Sequence, residues 1–286
     1  MRYILVALLL VAYSLSGCVQ PEIKGIKANW GEVNNQYSEL VVNVNINNPL
    51  PFLPLKDVES YIYINGIQIA SGNAKEIEKD KVVLSIKIQN DKIKDMWVSH
   101  LQHGEKSEML IKIVPVINLL IMDYRYPIEV KKEFVTHIFG VSLPNQGITI
   151  AGKKVFSLEN IKLDLGKVNN LKTELIVNGR VVNNAPVNID VKRIEYQIAM
   201  NGIVVGKGTQ RLDINLKSGT QENIKIPLFI DNTKLPEWWV THIKNGEHST
   251  VKIDANLYVE FMGTEYPIRL SQETELNTAL AGSVGI

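Results

Sequence analysis

From Leu40 the chain alternates: Leu40, Val42, Val44 and Ile46 stand on one face, and Val41, Asn43, Asn45 and Asn47 on the other. A period of two with one mostly polar face predicts a half-buried strand. Tyr61-Ile62-Tyr63-Ile64 continues the pattern to Asn65-Gly66 and resumes as Ile67-Gln68-Ile69. Asn-Gly between alternating segments predicts a two-residue hairpin, because a type I′ turn needs positive φ at both central residues. Asn201-Gly202 repeats this between Met200 and Ile203. Val82, Leu84, Ile86 and Ile88 form another alternating strand, with Ile224, Ile226, Leu228 and Ile230 as counterparts.

The period then lengthens. Ile93, Trp97, His100 and Leu101 gather on one side of a helical wheel, and Gly104 closes the segment as a C′ residue does. Leu235, Trp239, His242, Ile243 and Gly246 repeat the arrangement, with Pro236 acceptable in the first turn. Strands resume at Met109 to Ile113 and Val251 to Ala255, and the pattern ends around Tyr126-Pro127 and Tyr266-Pro267.

These counterparts are one unit written twice. Gly31-Glu32-Val33-Asn34-Asn35 returns as Gly166-Lys167-Val168-Asn169-Asn170, and Glu39-Leu40-Val41-Val42-Asn43 as Glu174-Leu175-Ile176-Val177-Asn178. Trp97, His100, Gly104, Glu105 and Ser107 return as Trp239, His242, Gly246, Glu247 and Ser249. Two copies of about 120 residues each suit separate cores. The expectation is a mainly β chain of two tandem immunoglobulin- or fibronectin-III-like β-sandwich domains. Each has about seven strands and one short α-helix packed on its end or face. The boundaries read as a signal over 1–17, a first domain over 22–138, a linker over 139–156 and a second domain over 157–280. The spacing between copies slips by one residue after Asn178, and one added residue reverses every later side chain across a sheet, so a β-bulge near Gly179-Arg180, or a longer turn just after it, is expected.

The first 17 residues stand outside this pattern. Arg2 is followed by an apolar run from Ile4 to Ala12 and then by Leu15-Ser16-Gly17-Cys18, the order of an export signal. The run is shorter than the roughly 20 residues of a spanning helix. Leu15-Ser16-Gly17-Cys18 resembles the lipobox of prokaryotic lipoproteins. That resemblance implies that Cys18 carries lipid and becomes the mature N-terminus on the extracytoplasmic face of the cell membrane. An ordinary signal peptide or an uncleaved anchor is the alternative.

Composition narrows the rest. With 31 basic against 30 acidic side chains, the chain lacks the basic surplus of a nucleic-acid binder. At 45% hydrophobic residues, it can bury a core. Its single cysteine excludes an intramolecular disulfide and a thiolate metal cluster.

Asn48-Pro49-Leu50-Pro51-Phe52-Leu53-Pro54-Leu55 after an alternating strand, followed by a strand ending at Asn65-Gly66, resembles the late embryogenesis abundant type 2 family, or water stress and hypersensitive response domain. Asn184-Ala185-Pro186 and Asn201-Gly202 repeat these features without the full proline run, so the first copy carries the fuller match. The resemblance implies a folded sandwich with one helix, no catalytic residues, no cofactor, and an association with desiccation or stress. Asn48, Pro49, Pro51 and Pro54 read as structural, since proline fixes φ and stiffens a crossing between strands.

Three sets of side chains invite chemistry. His100 and His242 fall in the apolar stripe of their helices, where an imidazole packs and bonds locally. His100 with His103 is a poor metal pair, because zinc needs three or four ligands and Asn245 replaces the second histidine in the other copy. Trp97, Trp238 and Trp239 either fill the core or stack on a sugar or lipid, with Trp238 expected to be the most exposed. Glu105 and Glu247, after the glycine caps, read as turn residues. No phosphate loop, nucleophile elbow or metalloprotease helix occurs.

The functional expectation is a non-enzymatic, lipid-anchored protein with a structural or binding role at the cell envelope, its partners the membrane and an envelope protein. One alternative is a hydrophobic ligand held between helix and sheet; a weaker one is hydrolysis of envelope material.

Overall fold

The computed structural model describes residues 22–47, 55–118 and 122–284. Cys18 and the segment bearing Asn48, Pro49, Pro51 and Pro54 lie outside the described residues. The chain is mainly β, built from antiparallel sheets, and forms two compact units. Of the described residues, unit 1 holds those within 22–89, 108–133 and 279–284, and unit 2 holds 90–107 and 134–278.

Unit 1 is built on β1 (Glu22–Val33), β2 (Tyr37–Asn47), β3 (Leu55–Ile64), β4 (Ile67–Ile77), β5 (Lys81–Gln89), β6 (Lys106–Asn118), β7 (Asp123–Arg125) and β8 (Ile128–Val135). They form a sheet in the order β1-β2-β5-β4-β3-β6-β7, with β8 on β6. Leu40, Val42 and Val44 of β2, Leu84 and Ile86 of β5, and Ile62 and Ile64 of β3 are all buried at alternating positions, as the sequence pattern requires.

Unit 2 contains helix α1 (Ile93–Gln102), then β9 (Val141–Leu143), β10 (Gln146–Ile150), β11 (Lys153–Val168), β12 (Lys172–Asn183), β13 (Ile189–Met200), β14 (Ile203–Leu216), β15 (Gln221–Asp231), helix α2 (Leu235–Lys244), β16 (His248–Phe261) and β17 (Thr264–Asn277). One sheet runs β10-β11-β12-β15, with β9 on β11, and the other runs β14-β13-β16-β17. Leu163, Leu175 and Ile230 of the first sheet and Ile198, Met200 and Ile253 of the second line one small internal cavity, so the sheets face each other. Residues 139–156, read as a linker, instead carry β9, β10 and the start of β11. The Ala151-Gly152 turn joining β10 to β11 has φ of 48° and 77°, a type I′ geometry in a dipeptide that sequence reading passes over.

The duplicated motifs acquire specific jobs. Asn65 and Gly66 have φ of 48° and 80°, and Asn201 and Gly202 have 49° and 80°, so both hairpins are type I′. Each asparagine also accepts from the next strand, Asn65 Oδ1 from Glu108 N–H and Asn201 Oδ1 from Thr250 N–H, both at 2.9 Å. In the Gly31 and Gly166 motifs, Glu39 accepts from Glu32 N–H and Glu174 from Lys167 N–H. A Cβ at either glycine would stand 2.6 Å from that carboxylate. Asn34 and Asn169 close the following turns, accepting from Tyr37 N–H and Lys172 N–H. Lys87 lies 4.4 Å over the Tyr37 ring, and Lys172 lies 4.4 Å over Phe229, the cation and ring having changed places between copies.

The bulge expected near Gly179-Arg180 is not in β12, which pairs in unbroken register with β15 through these residues. The ladder of β11 on β12 does jump between Glu159 and Lys162, opposite Gly179, and Asn160 takes a φ of 53°. That jump does not absorb the slip: Gly179 and Arg180 face Ile224 and Asn223 as Val44 and Asn45 face Val82 and Lys81, so the added residue lies beyond Arg180, toward the turn that follows β12. A matching jump falls between Ile23 and Gly25 of β1.

The copies differ where β4 pairs with β5 in unit 1 while β14 and β15 belong to separate sheets in unit 2. Tyr196 explains the break. It replaces Ser60 of the first copy, lies across Gly208, and its hydroxyl accepts from Phe229 N–H of β15 at 3.0 Å. The phenol thus satisfies a ladder group that a neighbouring strand would otherwise take. Replacing Tyr196 by Phe leaves that N–H unpaired and is expected to cost about 1–2 kcal/mol, read as a lower urea midpoint. An unchanged midpoint would show that water or β14 supplies the bond instead.

Candidate functional site

The predicted helices carry the candidate chemistry, and both lie in unit 2. Helix α1 belongs by sequence to the first copy but lies in unit 2. Trp97 donates from Nε1 to Thr173 Oγ1 of β12 at 3.0 Å, Thr173 donates to Asn232 Oδ1, and Asn232 donates to the Asn169 carbonyl. A buried indole N–H needs an acceptor, and this polar chain provides it inside the second copy. Gln102 adds a bond to the Val168 carbonyl, and Asp95 accepts from Asn170.

The tryptophans form one cluster. Trp97 and Trp238 meet edge to face at 5.9 Å between centroids, and Trp238 and Trp239 at 6.3 Å. Trp238, expected to be the most exposed, is 3% accessible; Trp97 is 4% and Trp239 1%. The correction has a local cause: Trp238 Nε1 donates to buried Ser249 Oγ at 2.9 Å, which draws the ring inward. None of the three offers a face to a sugar or lipid.

The two histidines anchor identical networks. Ser249 Oγ receives Trp238 Nε1–H and an Asn201 Nδ2–H, so both of its lone pairs are occupied and its own proton points to His242 Nδ1 at 2.8 Å. That fixes the tautomer: Nδ1 accepts, and Nε2–H donates to Thr278 Oγ1 at 2.9 Å. Thr278 passes its proton to Glu247 Oε2 at 2.8 Å. Around His100 the same order recurs, with Ser107 on Nδ1 at 2.9 Å, Thr136 on Nε2 at 2.8 Å, and Thr136 donating to Glu105 at 3.1 Å.

Glu105 and Glu247 are more than turn residues. Each follows its glycine in the left-handed region, with φ of 62° and 63°, which turns the carboxylate back toward the threonine. Glu105 also accepts from Ile138 N–H, and its carbonyl takes the Thr136 N–H. The threonines were missed from sequence, although they keep the same spacing from their helices as Ser107 and Ser249 do.

Seen as chemistry, serine beside histidine suggests a nucleophile and its base. Here Ser107 and Ser249 are buried, their protons are committed, and Trp238 and Asn201 occupy the second serine's remaining acceptor sites. No group of three or more metal-ligating side chains occurs among the described residues. The internal cavity beside Trp97 measures about 20 Å³, room for one water and not for an acyl chain. The hydrophobic-ligand alternative therefore gains nothing from it.

An open polar depression of about 640 Å³ lies on the outer face of β13, β16 and β17, with Glu195 and Asp254 among its lining residues. Ser271, donating to Asp254, holds that carboxyl below its usual range. A general acid needs the opposite shift, so Asp254 is not tuned for that role.

Fold and helices together define a mainly β protein whose two-sheet unit is closed by a pair of tryptophan-bearing helices. The model of the family described as "Late embryogenesis abundant protein", group 2, matches residues 178–273. Residues 178–273 thus carry the pattern of that family. The match falls on the second copy, from the end of β12 to β17, and not on the proline-bearing first copy, where the motif is fuller. A crystal structure of a protein from Archaeoglobus fulgidus is 31% identical and covers 43% of this chain, with 98% of its own length matched and a TM-score of 0.41. The solution structure of AT1g01470 from Arabidopsis thaliana is 18% identical over 51% of this chain and 89% of its own, with a TM-score of 0.33. A Bacteroides uniformis β-glucuronidase is 12% identical over 90% of this chain but only 32% of its own, with a TM-score of 0.28. Among curated proteins, none matches the chain.

Burial lowers the pKa of both histidines from 6.5 to about 4, with His103 adding to the effect at His100; at His242, His248 lowers it further and Glu247 opposes. Protonation would also put a proton on the Nδ1 that must accept from serine. Between about pH 6.5 and 4 the unfolded chain binds more protons, so stability falls as pH drops, by up to about 3 kcal/mol per histidine. In urea denaturation, the double variant His100→Gln, His242→Gln should start less stable near pH 7 and lose less than wild type on acidification to about pH 4.5. An acid loss as large as that of wild type would exclude the histidines as its source.

Proposed function

We propose that the protein is a non-enzymatic, membrane-anchored extracytoplasmic member of the late embryogenesis abundant type 2 family, with a structural or binding role at the cell envelope under water stress. The observation that carries this reading is Arg2, the apolar run from Ile4 to Ala12, and Leu15-Ser16-Gly17-Cys18, placed just ahead of the first strand at Glu22. Two acyl chains hold a soluble domain on a bilayer, where one gives only marginal binding. No helix among the described residues is long and apolar enough to cross a membrane. The non-enzymatic part draws support from the histidine networks, whose serines are spent on internal bonds.

Cell fractionation with detergent partitioning tests the anchor. Wild type is expected in the membrane fraction and the detergent phase, and Cys18→Ser in the soluble fraction. Retention of Cys18→Ser on membranes to the wild-type extent would show that the apolar segment, not a lipid on Cys18, holds the protein.

A further inference from the structure

We propose that the open polar depression on the outer face of β13, β16 and β17 is a binding site for an oligosaccharide that carries a carboxylate. The site lies wholly in unit 2 and does not depend on the membrane anchor proposed above.

Strand register explains the hollow. Asn256 of β16 lies between Glu195 of β13 and Arg269 of β17, and Asp254 lies between Gln197 and Ser271. The short side chains of Asp254, Asn256 and Ser271 make its middle, and the longer ones of Glu195, Gln197, Lys252 and Arg269 stand around them. Tyr196 and Ala255 alternate with these residues and are buried, so the side chains that face the depression are all polar. Three strands about 4.8 Å apart, and the stretch from Lys252 to Asn256 at about 3.3 Å per residue, give a floor of roughly 10 by 13 Å. That is the footprint of a short oligosaccharide and is broader than a lone anion fills.

Its charges mostly cancel. Lys252 pairs with Asp254 at 3.2 Å, and Glu195 with Arg193 at 3.1 Å. The Arg269 guanidinium makes no ion pair or hydrogen bond with a described residue, and neither do the side-chain amides of Gln197 and Asn256. One uncompensated guanidinium therefore stands beside two amides that each keep a donor and an acceptor to spare. A guanidinium fork matches the two oxygens of a carboxylate. An amide, with donor and acceptor side by side, matches adjacent hydroxyls on a sugar ring. Convergent polar groups on a concave face, with no apolar side chain among them, select a hydroxyl-rich ligand over a lipid tail.

The first copy shows that the sheet does not need these residues. Tyr61, Val114 and Glu129 occupy the places of Gln197, Asn256 and Arg269, and Glu129 is drawn to Lys112 at 3.6 Å. An apolar residue and a reversed charge at the same positions leave the strand pairing of β3 with β6 intact. Asn256 and Arg269 are thus dispensable for folding and available for a ligand.

The test is calorimetric titration of the full-length protein, held in a detergent without a sugar headgroup, with trigalacturonate and trimannuronate. Maltotriose and acetate are the controls. At least one triuronate is expected to bind about tenfold or more tightly than maltotriose, and acetate to show no saturable binding. Arg269→Gln should abolish the preference for the acid, and Asn256→Val, the residue of the first copy, should weaken the triuronate by about tenfold. Both variants should keep the wild-type urea midpoint, since neither side chain bonds within the protein. Failure of both triuronates to bind, wild-type affinity in Arg269→Gln, or acetate binding as tightly as a triuronate overturns the inference. None of these outcomes alters the partition of Cys18→Ser, which tests the anchor separately.

Discussion

A buried imidazole that must stay neutral governs the helical part of this structure. Neutral histidine has one donor and one acceptor nitrogen, so its two neighbours cannot be chosen independently. At His242 the acceptor side is fixed by Ser249, two residues into β16, and the donor side by Thr278, just after β17. One ring therefore ties a helix to the strand that follows it and to the far end of the next strand. His100 does the same with Ser107 and Thr136. The glycine-glutamate pair after each helix is a consequence: only a left-handed step returns a carboxylate to receive the threonine proton. Each network ends on an acceptor-only group, so the run of protons has a single direction and no member is left unpaired.

The same economy explains which residues the copies share. Identity survives where a side chain closes a backbone gap: the glutamate opposite Gly31 and Gly166, the asparagine of each turn, and the asparagine that joins a hairpin tip to the next strand. Outside these points and the matched residues of the helices and their networks, the copies share mostly hydrophobic character and period. Where the copies depart, a single volume change suffices; the tyrosine at 196 in place of serine at 60 separates two strands that are joined in the other unit.

Much of this was legible in sequence. The strands, both Asn-Gly hairpins and both helices follow from period and turn chemistry, because each is a local property of consecutive side chains. The strands in 139–156 were not, since Ala151-Gly152 lacks the usual turn asparagine and β9 has only three residues. Trp238 and helix α1 were misjudged for one reason: periodicity tells which face is apolar but not which surface will cover it or accept an indole N–H. The added residue was placed too early, because matched side chains bracket a length difference without locating it between them. Of the histidine networks, the residues near the helix stood out, while the threonines about 36 positions away are joined to them only by the fold.

The exchanged cation and ring give the two copies a means of telling themselves apart. Tyr37 under Lys87 and Phe229 under Lys172 are equally good contacts, but their halves are not interchangeable. If β12 docked on β5 while the chain folded, Lys172 would meet Lys87 and two ammonium groups would face each other. The reciprocal error, β2 on β15, would set ring against ring with no cation between them. A chain that carries nearly the same strand twice thereby penalises the crossed pairing that its own duplication makes available.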